Sequence, residues 1–197
     1  MTTPSSVADL RREFARARLD EAHVSHDPIV EFSRWFAQAQ EAQLHEPNAM
    51  TLATATTDGA PSARVVLLKT FDKRGFVFFS DYRSRKGGEL EANPRAALVF
   101  YWGEVERQVR ITGTVTTTSH EESEEYFRSR PLGSRLGAWV SHQSRVIPGR
   151  GVLESDLKEV AVRFADGNVP LDIMLAHFRK IAQAADVPLN ADFEGGF

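Results

Sequence analysis

The sequence predicts an α+β fold: a barrel of antiparallel strands with flanking helices. Three observations carry that prediction. Helix-like segments open and close the chain, and a block of strand-like segments lies between them. Hairpin-type turns, Asp58-Gly59 and the Asp72-Lys73-Arg74-Gly75 stretch, separate neighbouring strands and so make them antiparallel. A single short helical segment interrupts the strand block, which is not the alternating order of a doubly wound parallel sheet.

The elements follow in order. Asp9 is placed to cap a helix through LRREFARARLDEA. His26-Asp27-Pro28 resets the chain, because Asp before Pro is a good helix start. The next segment puts Ile29, Phe32, Trp35, Phe36 and Ala39 on one apolar helical face, and Glu46-Pro47-Asn48 ends it. MTLATATT then alternates as a first strand. SARVVLLKTF reads as one second strand, and FVFFS as a short buried third. SRKGGELEAN is a short helix stopped by Pro94. RAALVFYW and VERQVRITGTVTTT read as two long strands, five in all. Ser119 with Glu122 makes a capping box that opens the helix HEESEEYFRSR. SRLGAWVSHQ is a short helix after Pro131. LESDLKEVAVRFADG follows with Leu153, Leu157, Val160 and Phe164 on one face, and DIMLAHFRKIAQAAD is a last helical pattern.

Composition narrows the function classes. The chain has 197 residues, 42% of them hydrophobic and 26% charged, an ordinary globular balance. Its net charge of -3 disfavours a protein that coats nucleic acid. With no cysteine, disulfides, thiolate metal sites and a cysteine nucleophile are excluded. No apolar run is long enough for a signal peptide core or a membrane span, so the expectation is a cytoplasmic protein. His23, His26 and Asp27 lie close together but lack matching ligands elsewhere, so no metal is expected. GxSxG, Walker A and GxGxxG patterns are absent. Trp35, Trp102 and Trp139 read as core residues.

Four groups of residues could carry chemistry. Ser84-Arg85-Lys86-Gly87-Gly88 sits at a helix N-terminus, where the dipole favours anions. Two cations there are either a phosphate site or a pair of solvated side chains. Arg64 and Lys69 bracket the apolar run Val65–Leu68. Five residues apart on a regular strand they face opposite sides, so they share a ligand only across a sheet end or a bulge. Gln108 and Arg110 share a strand face, where a Gln could read a polar ring edge or simply meet water. Tyr126 and Arg130 are one helical turn apart and, with Ser134, could hold a phosphate and stack on a ring.

Together, EPNAMTLATA, GAPSARVVLLK, FVFFSDYRSRKGGELEANPRAAL, ERQVRITG, YFRSRPLGSRLGAWVSHQS and RGVLE resemble the pyridoxamine 5'-phosphate oxidase family. The resemblance runs over residues 10–171 and includes LRREF near the start. It implies residues 1–171 as one FMN-binding split β-barrel, a homodimer with flavin at the subunit interface. It also implies oxidation of pyridoxamine or pyridoxine 5'-phosphate to pyridoxal 5'-phosphate, with oxygen as acceptor and hydrogen peroxide released. By motif, Arg64, Val65, Val66, Leu67, Leu68 and Lys69 would line FMN, and Phe79 and Ser80 would approach it. Arg85 and Lys86 would hold its phosphate, and Gln108, Gln143 and Ser144 would also contact FMN. Tyr126, Arg130 and Ser134 would bind the substrate phosphate, Lys69 would face the substrate, and Arg11 would close over it. Phe14 stands where the family often has Tyr.

Residues 172–197 depart from the family pattern. Family members continue past VPL into strands that carry a flavin-contacting Trp and an Arg-x-His-Asp-Arg motif, and this sequence has neither. The tail instead resembles a fragment of the isocitrate lyase and phosphoenolpyruvate mutase family, read as a replaced C-terminus without catalysis of its own. The expectation is therefore weakened FMN binding and turnover. The alternatives are a binder of FMN or pyridoxal phosphate without turnover, or a flavin oxidase of another ring substrate.

Overall fold

The computed structural model describes residues 21–164. The expected helix at 10–22 with Arg11 and Phe14, and the tail at 172–197, lie outside the described residues or at their margin. Helix α1 spans Pro28–Glu41, and Asp27 caps it by accepting from the Ile29 and Val30 amides. Six strands follow, β1 (Ala49–Ala55), β2 (Pro61–Leu67), β3 (Thr70–Asp72), β4 (Gly75–Val77), β5 (Arg95–Trp102) and β6 (Arg107–Thr114), with α2 (Arg85–Ala92) between β4 and β5. Helices α3 (His120–Ser129), α4 (Leu132–Val140) and α5 (Arg150–Phe164) complete the described chain. No helix among the described residues is long and apolar enough to cross a membrane.

The strands form a four-stranded antiparallel sheet in the order β2-β1-β5-β6 and a separate hairpin β3-β4. The α+β class holds, but the described residues form six strands where five were expected. The segment SARVVLLKTF does not form one strand. Leu68 N–H donates to Asn48 O in the large sheet, and Lys69 N–H donates to Val77 O in the hairpin. The chain therefore turns a corner between Leu68 and Lys69 and joins the two sheets. The first hairpin closes through Gly59, whose φ of +91° suits glycine. The FVFFS strand ends at Val77, and the last Thr residues after Thr114 leave the sheet.

Strand alternation puts Met50, Leu52, Val66, Leu98, Phe100 and Trp102 on one sheet face. Helix α1 covers that face with Phe32 and Ala39. Phe32 is the hub: its ring centroid lies 4.8 Å from both Phe71 and Phe76 and 5.1 Å from Phe100. One residue thus ties α1 to the hairpin and to the large sheet. Trp102 is buried with its indole N–H donating to Pro47 O at 2.8 Å, and Trp35 packs at the rim beneath the Arg107 guanidinium.

A smaller buried set, Leu136, Val140 and Leu157, lies between α4 and α5. Trp139 is not core, contrary to expectation; it is 58% exposed. Leu136 and Val140, four residues apart, take the buried face of α4, and Trp139 is rotated off it.

Candidate functional site

The stretch Ser84–Gly88 does open a helix. The Ser84 hydroxyl donates to Asp81 O at 2.6 Å and accepts from Gly87 N–H at 3.3 Å, so it fixes both the approach loop and the first turn. Gly87 allows the close approach: a Cβ there would lie 2.3 Å from Tyr82 O. The first turn of α2 contains no acidic residue.

The two cations of that turn have different fates. Lys86 is 1% exposed, and its Nζ donates to Gln143 Oε1 at 3.0 Å. Arg85 is exposed and donates from Nε to Glu89 Oε1 at 2.8 Å, one turn further along α2. The other oxygen of Glu89 accepts from Arg64 Nη2 at 3.1 Å and from Thr54 Oγ1 at 2.5 Å. Arg64 also donates to Thr54 Oγ1 and Ser62 Oγ, each at 2.6 Å. Burial pushes the Glu89 carboxyl up, but the hydrogen bonds from Thr54, Arg85 and Arg64 outweigh it and hold the group below the ordinary glutamate range. Glu89 and Thr54 were not among the residues singled out in the sequence. Glu89 was visible only as the partner of Arg85 at i+4; Arg64 lies 25 residues away and reaches it through the fold.

A second group gathers on Tyr126. Its ring stacks on Phe79 with centroids 3.9 Å apart and planes 3° from parallel. Lys69 Nζ lies 5.8 Å from the Tyr126 centroid, and the Arg130 guanidinium carbon 5.9 Å. The corner after Leu68 is what brings Lys69 here; Arg130, expected one helical turn on, is the extended C-cap just past α3 and still meets the Tyr126 ring. Ser80, next to Phe79, has a buried hydroxyl with no hydrogen-bond partner. An orphaned buried hydroxyl beside a ring-stacked aromatic fits a polar ligand that bonds to it.

Not every expected residue joins these groups. Val66 and Leu68 are buried in the core, so only their backbone could meet a ligand. Val65 is 59% exposed on the opposite sheet face, and Gln108 and Arg110 lie on that same outer face. Ser134 is in the first turn of α4. Ser144 follows Gln143 in the loop after α4, with a left-handed φ of +59° that is uncommon for a residue with a side chain. Among the described residues, no group of three or more His, Asp or Glu side chains could hold a metal ion.

The sequence profile of the pyridoxamine 5'-phosphate oxidase family matches residues 36–164. The chain belongs to this family. Among curated relatives, the pyridoxine/pyridoxamine 5'-phosphate oxidase of Burkholderia lata is 59% identical over 162 residues, which is 82% of this chain and 76% of the relative. The protein of the same name from Burkholderia vietnamiensis is 58% identical over the same shares. Among solved structures, PhzG from Burkholderia lata, in complex with tetrahydrophenazine-1-carboxylic acid, is 32% identical with a TM-score of 0.69. It covers 76% of this chain, and the match spans 72% of PhzG. A pyridoxamine 5'-phosphate oxidase-related, FMN binding protein from Nostoc punctiforme shares the fold at 21% identity and a TM-score of 0.53, over 66% of this chain and 73% of its own. Within the family, the expected split barrel is the fold described above.

Proposed function

We propose that this chain is an FMN-dependent oxidase of pyridoxamine or pyridoxine 5'-phosphate that yields pyridoxal 5'-phosphate with oxygen as acceptor. The observation that carries this reading is the contact between buried Lys86 and Gln143, at a helix N-terminus without an acid. Family membership of residues 36–164 supports it. Lys86 and Arg85 would hold the FMN phosphate, with Gln143, Ser144 and the orphaned Ser80 hydroxyl bonding other polar atoms of FMN. Phe79 and the Arg64–Lys69 backbone would flank it. FMN, when bound, supplies the hydride acceptor that this oxidation needs. Lys69, Tyr126, Arg130 and Ser134 would orient the substrate through its phosphate, with Arg11 closing over it. Two cations around one aromatic ring suit a ligand that is both flat and anionic.

Gln108 is reached only if a second copy covers the outer sheet face. That face presents Ala53, Ala63, Val65, Ala97, Val99 and Tyr101, and Tyr101 is 75% exposed. An outer face that sets exposed apolar side chains beside Gln108 and Arg110, uncovered among the described residues, supports the homodimer, with Gln108 of one copy beside the FMN of the other. The likeness to PhzG favours one second reading, oxidation of a carboxylated tricyclic ring. The test is FMN-loaded protein assayed with pyridoxamine 5'-phosphate, pyridoxine 5'-phosphate and reduced phenazine carboxylates, following peroxide and aldehyde. Pyridoxal 5'-phosphate with matching peroxide supports the first reading. Turnover of phenazine precursors alone replaces it with the second. Flavin that binds without any turnover leaves a binding protein.

A further inference from the structure

Glu89 is almost fully buried, yet it is held by two arginines from different elements and by a threonine hydroxyl. Its two oxygens divide the work. One takes Arg64 and Thr54 from the sheet, and the other takes Arg85 from its own helix. Arg85 gives its Nε to this bond, and its side chain remains 62% exposed at the start of α2. Lys86 is on the neighbouring position, bonded to Gln143. Arg64 and Arg85 share the single Glu89 carboxylate, so the cations at the start of α2 outnumber the carboxylate that holds them, which suits an anionic group there.

We propose that Glu89 is a positioning residue for phosphate selectivity: it clamps Arg85 against the sheet-anchored Arg64 so that Arg85 meets the flavin phosphate in one fixed geometry. This rests on the FMN reading above. A free arginine at a helix N-terminus pays rotamer entropy on binding, whereas a clamped one is already oriented. The alternatives differ in sign. If Glu89 acted only through its charge, removing that charge would strengthen anion binding. If it served only the fold, its loss would weaken all flavins alike.

The experiment measures dissociation constants of FMN and riboflavin by fluorescence titration for the wild type, Glu89→Gln and Thr54→Val. Thermal unfolding of each protein is recorded alongside. The wild type is expected to prefer FMN. Glu89→Gln is expected to lose roughly tenfold or more of that preference, with riboflavin affinity unchanged. Thr54→Val removes one bond to the carboxylate without changing any charge, and is expected to lose less in the same direction. It also carries the test if Glu89→Gln does not fold. An unchanged or increased FMN preference in the variants overturns the clamp while leaving FMN binding intact. Equal losses for FMN and riboflavin overturn it in favour of a fold role. A wild type without preference for FMN overturns the FMN reading itself and the clamp with it.

Discussion

Lys86 Nζ lies 3.0 Å from Gln143 Oε1, joining two segments 57 residues apart in the chain. The contact links the N-terminus of α2 to the loop after α4. It makes one site of two motifs that each admit a bland reading alone. A buried lysine needs polar partners, and Gln143 supplies one of them from an uncharged side chain.

Replacing Lys86 with methionine keeps the length and burial of the side chain but removes its charge. FMN affinity is expected to fall by about tenfold or more, from the loss of a charge-assisted bond of ~1.5–3 kcal/mol. Riboflavin affinity should change far less. Parallel titrations with the two flavins check this, and an equal fall for both would place Lys86 in the fold rather than at a phosphate.

Gly87 is required by packing. A methyl group at that position would meet the Tyr82 carbonyl at 2.3 Å, and the obstacle is backbone. Gly87→Ala is expected to destabilise the protein by about 1–3 kcal/mol and to loosen the Asp81–Ser84 approach loop. Urea unfolding measures the first effect. An unchanged midpoint would show that α2 can shift without cost.

Acid should release Glu89. Its folded carboxyl lies below the ordinary glutamate range, so its stabilising contribution is complete at neutral pH. The contribution starts to fade as pH falls through the unfolded glutamate range and is gone below the depressed folded value. Urea midpoints followed from neutral pH into acid should therefore drop less steeply in Glu89→Gln than in the wild type. Parallel curves would show that Glu89 titrates the same way folded and unfolded.

The outer sheet face should mediate self-association. Val65→Asp places a charge on the β2 edge of that face, where Val65 is 59% exposed in the single copy. Sedimentation is expected to show a wild-type dimer and a variant shifted toward monomer, with weaker FMN binding because Gln108 is then out of reach. A variant dimer as tight as the wild type would move the interface elsewhere.

Local chemistry made part of this legible in the sequence. Asp27-Pro28 and the Ser119–Glu122 capping box each announce a helix start within a few residues, and both form with the expected hydrogen bonds. Asp58-Gly59 likewise marks its hairpin. The corner at Leu68–Lys69 carries no such mark, because Val65–Leu68 is an unbroken apolar run and the turn is set by backbone partners in two different sheets, Asn48 and Val77. That corner decides where Lys69 goes. The role of Glu89 was hidden for the same reason: its helical partner Arg85 is local, but Arg64 and Thr54 come from strands. Trp139 misled because aromatic character suggests burial, while the Leu136 and Val140 pair had already taken the inner face of α4.

The central claim is that this fold brings FMN and a phosphorylated pyridine together for hydride transfer. The most direct measurement loads the protein with FMN, removes oxygen, and follows the visible flavin absorbance as pyridoxamine 5'-phosphate is added. The account predicts bleaching of the bound flavin and its recovery in air. Bound flavin that keeps its colour through saturating substrate would contradict it.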